Sequence, residues 1–231
     1  MVFFFKKIKK VRTMTMFEFF IKMFNNSDVK RKFTNIYSKN LFKGDDSISG
    51  RGSNLYQTRV IRNAIPILLK EMGVKTMIDA PCGDLFWMKE VDLPVEKYIG
   101  IDIVDEIIEE NKKKYAASDR EFVSRNIIDE TLPRADLIFC RDCLVHLSFE
   151  QGIKAIKNFK ESGAKYLLTT TFVDREKNID LGKHIWRTLN LERAPFNFPK
   201  PIKVINEGCT EGNGSYSGKS LGLWLLEDIS F

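Results

Sequence analysis

The chain has 231 residues, a length typical of one α/β domain with an appended arm. Hydrophobic residues make up 43% of it and charged residues 29%, a composition that predicts a folded core and excludes a disordered chain. Residues 1–43 carry eleven Lys or Arg and two acidic residues. The positive charge of this segment exceeds the net charge of +6 of the whole chain, so the remaining residues are slightly acidic. That remainder lacks the broad positive surface that nucleic-acid binding requires, which argues against a nucleic-acid partner.

The first 57 residues are interpreted as a basic arm followed by a segment that covers the ligand site of a domain at 58–231. Lys or Arg interrupts every apolar run of the arm well before the roughly 20 residues that a membrane span needs. The order of its clusters also differs from that of a signal peptide. Phenylalanines interleaved with basic residues leave two interpretations open: a helix lying on a membrane surface and, as the favoured one, a helix packed on the domain.

The residues from 58 onward predict a mostly parallel α/β sheet with helices on both faces. A helical pattern over 58–72 carries its apolar residues on one face and ends at Gly73, while Pro66 within it implies a kink. Short apolar runs then alternate with helical patterns, which is typical of βαβ units. Strands are predicted at about 76–80, 98–102, 121–124, 135–140 and 165–171.

Cap and turn signals place the remaining elements. Asp105 is predicted to cap a helix that extends through Tyr115. Ser148 and Gln151 form a capping box for a helix that reaches about 161 and ends at Gly163. Residues 172–220 are rich in Pro, Asn and Gly and too long for an ordinary connection, so they predict substrate-binding loops. The closing segment LGLWLLEDI predicts a buried last strand.

Two strand ends carry the first signs of a ligand site. In MIDAPCGDLFW, Asp79 and Ala80 end a strand and Gly83 lies in the turn that follows. Asp102 ends the next strand, 19 residues beyond Gly83, where a carboxylate can accept hydrogen bonds from both hydroxyls of a ribose. A turn with one glycine, and with Pro81 lacking an N–H, does not suit a dinucleotide pyrophosphate. A nucleoside cofactor without phosphates, such as S-adenosylmethionine (SAM), fits better; the alternative is a tight turn with Asp102 as a helix cap.

These motifs resemble, in order and spacing, those of the class I methyltransferases that use SAM. The likeness covers about residues 61–171 and implies a Rossmann-like, mostly parallel sheet of seven strands with SAM as cofactor. It implies contacts to the methionine part of SAM from the following residues: Asp79, Ala80, Cys82, Gly83 and Asp84.

The same resemblance assigns the rest of the cofactor site. Asp102 and its neighbour Ile103 are implied at the ribose. The segment VSRNIIDETLP resembles the third motif and implies Asn126 and Ile127 beside the adenine, although an Asp is usual where Asn126 stands. The segment ADLIFCRDCLVHLS resembles the fourth motif, which implies that two further residues lie beside the methyl group: Cys140 and Arg141.

The first motif departs from the common D-x-G-x-G pattern, because Pro81 stands at its first glycine. This indicates a subfamily. The segments SGRGS, WRTLNLERAPFNFPKP and SYSGKSLGLW are similar to bacterial methyltransferase-like proteins, some of which lie among genes for surface polysaccharides. That looser resemblance implies a small-molecule or carbohydrate acceptor.

Methyl transfer to a hydroxyl needs an aligned acceptor and a group that takes its proton. His146 follows the fourth strand by six residues and is the first candidate base, the alternative being a histidine that only packs; Asp142 is the second candidate. Arg51 or Arg59 is a candidate to pair with the methionine carboxylate, the alternative being a solvated loop. Polar residues of the late loops suit a hydroxylated acceptor: Asn190, Arg193, Glu207 and Tyr216.

The four cysteines are too few and too unevenly spaced for a disulfide framework, which favours a reducing cytoplasm. Cys140, Cys143 and His146 are spaced like part of a metal site, and Cys82 is expected on the neighbouring strand. No second pair of ligands accompanies them, so we predict no metal and interpret the thiols as part of the lining of the cofactor crevice.

Three functions remain open at this point. The favoured one is a methyltransferase that acts on an oxygen of a small molecule or glycan, such as a capsule or other surface carbohydrate. The second is an RNA methyltransferase that holds phosphates with its basic arm. The third is a non-catalytic module of the same fold that binds a partner protein, and the sequence predicts no oligomeric state.

Overall fold

A computed structural model describes residues 28–231, and its strands form one seven-stranded sheet. The strands are β1 Thr76–Asp79, β2 Lys97–Asp102, β3 Arg120–Ser124, β4 Leu137–Cys140, β5 Tyr166–Phe172, β6 Lys203–Asn206 and β7 Lys219–Leu225. Their order in the sheet is β3-β2-β1-β4-β5-β7-β6, and only β7 runs antiparallel to its neighbours β5 and β6. The predicted fold class, with its mostly parallel sheet, is confirmed.

The strand order changes direction at β1, which pairs with β2 on one side and with β4 on the other. In an open α/β sheet such a switch point leaves a crevice outside the carboxyl ends of the strands. The ends of β1, β2 and β4 therefore meet at a place where a ligand can enter without opening the sheet.

Helices bury their apolar sides in two cores, one on each face of the sheet. The first helix, α1, is described from residue 28 to 38. The others are α2 Arg59–Glu71, α3 Asp105–Tyr115 and α4 Phe149–Glu161. Neighbouring strand residues point to opposite faces, so Met77 packs with α2 and α3 whereas Ile78 packs with α4.

The sequence patterns predict the first and last residues of α2, α3 and α4 to within one or two residues. Helix α2 continues through Pro66, and the capping box of α4 is confirmed, because the Ser148 hydroxyl accepts from the backbone N–H of Gln151 and the Gln151 side chain accepts from that of Ser148. The predicted cap of α3 is wrong: Val104 is its N-cap residue. Asp105 lies in the first turn, where its carboxylate accepts from Ser124 and Lys30.

Removing the Ser148 hydroxyl is expected to lower the free energy of unfolding by about 1 kcal/mol, because one backbone N–H of the first turn then loses its partner. Urea unfolding of Ser148→Ala measures the change. Ser118→Ala, at an exposed serine outside any helix or strand, is the matched control and should leave stability nearly unchanged. Equal losses in the two variants would contradict a stabilising cap.

The late segment contains structure that the sequence pattern does not indicate. Strand β6 lies at the edge of the sheet, where three of its four residues are exposed and Ile205 is half-buried, so it lacks the apolar run of a central strand. The buried last strand is confirmed, but it spans Lys219–Leu225 and ends before the expected Ile229. Within residues 28–231, no helix combines the length and the apolar character that crossing a bilayer requires.

Candidate functional site

A cleft of about 1150 Å³, including its open mouth, lies at the carboxyl ends of the strands around the switch point. Eleven of the predicted cofactor-binding and catalytic residues line it: Asp79, Cys82, Gly83, Asp84, Asp102, Ile103, Asn126, Ile127, Arg141, Asp142 and His146. Because these residues come from the ends of β1, β2, β3 and β4, the sheet alone brings them together.

The end of β1 carries a buried carboxyl group. Asp79 accepts a hydrogen bond of 2.6 Å from the Tyr98 hydroxyl of the neighbouring strand. Burial raises the pKa of Asp79 to about 7, against the opposing effect of the Tyr98 hydrogen bond. Ala80, the next residue, is fully buried behind the cleft wall and does not line it.

Asp102 closes the end of β2 and reaches across to the β1 turn. Its two carboxylate oxygens accept from the backbone N–H of Gly83 at 3.2 Å and of Val104 at 3.0 Å. Burial raises the pKa of this carboxyl to about 6. A carboxylate has about four acceptor positions, so these bonds leave capacity for a ligand. Val104 precedes the first turn of α3, which means that Asp102 does not cap the free N–H groups of that turn.

A cover loop, residues 44–53, lies over the β1 turn and is fixed there by Asp84. The Asp84 carboxylate accepts from the Ser47 hydroxyl at 2.9 Å, from the Ile48 N–H at 3.0 Å and from the Ser49 hydroxyl at 3.2 Å. Ser49 and Ser53 then line the cleft. Asp84 therefore uses its oxygens to hold the loop that covers the site.

The cover loop explains why a glycine is needed at position 83. Gly83 has a φ of +55°, and a Cβ built on it would overlap the Ser49 hydroxyl. Gly73 has a similar φ of +62° with no atom within 4 Å of its built Cβ. Gly73→Ala should thus lower the free energy of unfolding by about 1 kcal/mol, because alanine disfavours this left-handed backbone conformation and no clash adds to the cost. Gly83→Ala should cost more in urea unfolding, and equal losses would show that Ser49 moves aside freely.

Helix α1 forms an apolar wall of the cleft, and none of its residues was among the predicted site residues. Val29, Phe33 and Ile36 line the cleft from a single face of this helix. Lys30 pairs with Asp105 at 2.7 Å, and the Lys32 ammonium donates to the His146 carbonyl at 3.0 Å. The spacing of the three apolar residues is a helical signal that identifies this face once the helix is known.

At the end of β3, the cleft is lined by polar and apolar residues side by side. The Asn126 side-chain oxygen accepts from the Ile128 N–H at 3.0 Å, so the amide is held in place by its own turn. Ile103 and Ile127 lie beside it on the cleft wall. Arg125, which the sequence analysis did not select, also lines the cleft, and its Nε has no hydrogen-bond partner among residues 28–231.

His146 lies on the cleft wall in a defined protonation state. Its Nδ1 is 2.6 Å from the Ile185 carbonyl, and since a carbonyl only accepts, Nδ1 carries the proton and Nε2 is left as an acceptor. Burial lowers the pKa of His146 below its ordinary value, which favours the neutral ring. The Phe42 ring packs against it at 4.7 Å between centroids.

Asp142 is poorly suited to the role of second base. Its carboxylate lies 2.6 Å from the Lys219 ammonium and 3.3 Å from the Arg141 guanidinium. Burial alone raises the pKa of Asp142, but these two cations outweigh it and lower the pKa to about 2. A carboxylate that holds its charge so firmly takes up a proton poorly at neutral pH.

Besides Ala80, three predicted site residues lie outside the cleft wall, and a fourth lines it but is committed elsewhere. Cys140 is fully buried in the core. The Arg51 side chain donates to the Lys43 carbonyl, while Arg59 donates to the Gly208 carbonyl, and neither arginine lines the cleft. Arg141 does line the cleft, but it donates to Glu207 and to the Gly52 carbonyl.

The cysteines and the late-loop residues also have clear positions. All four cysteines are free and buried, and within the described chain no group of three His, Cys, Asp or Glu side chains could hold a metal ion. Asn190 is buried, and its side chain binds the Arg175 carbonyl and the Glu192 N–H, so it stabilises the loop. Glu207 is the buried partner of Arg141.

Comparison with known proteins identifies the fold. Neither a protein-family model nor a curated protein matches the chain. The structure is similar to Burkholderia thailandensis 1,6-didemethyltoxoflavin-N1-methyltransferase, solved with 1,6-didemethyltoxoflavin and S-adenosylhomocysteine, at a TM-score of 0.57 over 84% of this chain and 85% of that chain. The chain has the class I methyltransferase fold.

Two other solved structures share this methyltransferase fold. The N-methyltransferase NodS from Bradyrhizobium japonicum WM9 matches with a TM-score of 0.55 over 75% of this chain and 98% of its own. The methyltransferase domain of bacterial CtHen1-C matches with a TM-score of 0.55 over 74% and 98%. Sequence identity is 14% to each of the three, so the likeness establishes the fold alone.

Proposed function

We propose that the protein is a SAM-dependent methyltransferase that methylates an oxygen of a small molecule, with carbohydrates as the favoured acceptor class. One observation carries the proposal: the Gly83 N–H donates a hydrogen bond to Asp102 and so joins the ends of β1 and β2. Both residues lie on the wall of the cleft at the switch point of a methyltransferase fold. A ribose-binding carboxylate belongs at this position of such a sheet.

The described residues suit a phosphate-free nucleoside. Asp102 retains acceptor capacity for two ribose hydroxyls. Ile103 and Ile127 offer apolar surfaces for the adenine, with the Asn126 amide beside them. Gly83 and Asp79 border the place proposed for the methionine part. Bound SAM would supply a methyl group on a positively charged sulfur, which is an electrophile without any metal.

His146 is the proposed base. Bound SAM would supply the methyl carbon to which the acceptor oxygen bonds, with the carbon–sulfur electron pair left on sulfur, and the part of this chain is to take the hydroxyl proton. The hydroxyl proton passes to Nε2 of His146, which is available because Nδ1 is bound to the Ile185 carbonyl. The Phe42 ring against the imidazole limits its contact with water. Asp142, with its charge fixed, stabilises the imidazolium that results.

The test begins with calorimetric titration of SAM and S-adenosylhomocysteine into the purified protein, both of which should bind. Methyl-labelled SAM is then incubated with separated pools of small metabolites, glycans and RNA. Label in the metabolite or glycan pool is the expected result, and label in RNA alone would contradict the proposed acceptor. Binding without label in any pool would instead identify a non-catalytic module. The basic arm on which RNA or membrane binding would depend lies mostly outside the described residues.

A further inference from the structure

A cluster of charged side chains adjoins the cleft, and Asp142 is its one member to which the proposed proton transfer gives a role. Arg141 pairs with Glu207 at 2.6 Å, and Lys219 pairs with Asp142 at 2.6 Å and approaches Glu207 at 3.7 Å. The Arg141, Glu207 and Lys219 side chains are only 5%, 1% and 6% exposed. Because buried ion pairs contribute little net stability, the cluster is not explained by folding alone.

One buried oxygen of this cluster lacks a partner. Both hydrogen bonds from the Arg141 guanidinium to Glu207 go to Oε2. Oε1 is buried and has no hydrogen-bond partner among residues 28–231. The Glu211 carboxylate, two residues beyond Cys209, has the Cys209 thiol at 4.0 Å as its one hydrogen-bond partner within residues 28–231. Two carboxylates therefore have unused capacity to accept hydrogen bonds.

Two members of the cluster face the cleft next to the proposed base. Arg141, Asp142 and His146 all line the cleft. Gly52 of the cover loop lies over the cluster, since a Cβ built on it would be 3.1 Å from the Glu211 carboxylate and 3.6 Å from the Lys219 ammonium. A side chain at position 52 would crowd this place, whereas a glycine leaves it free.

A pair of half-buried aromatic rings completes the surroundings. The Trp186 and Tyr216 rings pack edge to face with centroids 5.1 Å apart. Trp186 follows Ile185, whose carbonyl holds His146, and the Lys219 N–H donates to the Tyr216 carbonyl at 2.9 Å. Within residues 28–231, neither the indole N–H nor the phenol hydroxyl has a hydrogen-bond partner. Trp186 thus adjoins the residue that holds the base, Tyr216 is tied through its backbone to Lys219 of the cluster, and both rings pack on Phe172.

We propose that these groups form the acceptor site and that the acceptor is a sugar ring with vicinal hydroxyls. Each hydroxyl both donates and accepts, which matches carboxylates with unused oxygens beside fixed ammonium and guanidinium groups. The C–H face of a sugar ring packs on an aromatic surface, and the tryptophan and tyrosine provide polar groups at its edge. The inference rests on the proposed methyl transfer and adds the residues that recognise the acceptor.

The experiment uses the full chain, methyl-labelled SAM and an ultrafiltered metabolite and glycan extract of the source cells. One half of the extract is treated with periodate, which cleaves vicinal diols, and then quenched; the other half is mock-treated. Label should enter product from the mock-treated half and be lost after periodate. Label that survives periodate would overturn this inference and leave methyl transfer standing, whereas no label from either half would overturn methyl transfer itself.

Variants separate the acceptor site from the cofactor site. Glu211→Gln, at a partly exposed position, should reduce labelling roughly tenfold through a higher KM for the extract, with the affinity for SAM unchanged. Trp186→Leu should act in the same way, and Trp186→Phe should restore most of the labelling. Glu161→Gln, at an exposed carboxylate at the end of α4, is the matched control. Unchanged labelling in both Glu211→Gln and Trp186→Leu would overturn the site.

Discussion

Asp102→Ala is expected to weaken the binding of SAM roughly 100-fold, because two hydrogen bonds from the ribose hydroxyls to a charged group are lost together. Calorimetric titration measures the affinity directly. The alanine also removes the bonds to Gly83 and Val104, so a thermal unfolding curve must accompany it. Asp102→Asn keeps one carbonyl oxygen, so its affinity for SAM should lie between that of the unmodified protein and that of Asp102→Ala.

The affinity for SAM should also fall as the pH is lowered through about 6, the value to which burial raises the pKa of Asp102. A protonated carboxyl accepts hydrogen bonds more weakly than the carboxylate, so binding is strongest above that pH. Asp92→Asn, at an exposed aspartate, is the control and should not change the affinity. If Asp102→Ala binds SAM as tightly as the unmodified protein, the ribose assignment is wrong.

His146→Ala is expected to lower the rate of methyl transfer by about 100-fold or more while SAM binds as before, because a positioned base contributes about that much to a proton transfer. The rate is measured with labelled SAM and the active extract pool. His184→Ala is the matched control, since His184 is the second of the two histidines and is exposed. Both variants should give equal rates only if His146 is a packing residue.

The pH dependence of the methyl-transfer rate is a second test of His146 as the base. The base must be neutral to accept a proton, and burial lowers the pKa of His146 below its ordinary value. The rate of the unmodified protein should therefore already be on its plateau at pH 7 and fall as the pH drops below that pKa. His146→Ala should lose this acid limb, and a profile that keeps it would assign the titration to another group.

The sheet and the junction of its first two strands could be predicted because their determinants are local. Each parallel strand is an apolar run between turns, and parallel strands must place their carboxyl ends at one edge. That rule brings Gly83 and Asp102 together across 19 residues of sequence, and the structure has them in direct hydrogen-bond contact at 3.2 Å. The capping box at Ser148 is likewise contained in four neighbouring residues.

The remaining parts of the site depend on contacts that no local pattern contains. Arg141 and Glu207 are 66 residues apart and meet only because β7 inserts beside β5. Arg51 and Arg59 carry the charge expected for a carboxylate partner, yet the guanidinium of Arg51 donates to the Lys43 carbonyl and that of Arg59 to the Gly208 carbonyl. Charge alone predicts a partner, but it does not say which way a long side chain turns.

The tie between Asp84 and the cover loop has a kinetic consequence. A nucleoside in the cleft would have α1 and residues 44–53 along its walls, so the serine–carboxylate bonds at Asp84, which fix that loop, would slow its departure. Breaking of these hydrogen bonds, and not the chemical step, would then limit the rate at which used cofactor leaves and new cofactor binds. Removing the hydrogen bonds at Asp84 should shorten the residence time of a bound nucleoside even where its own contacts with the cleft are intact.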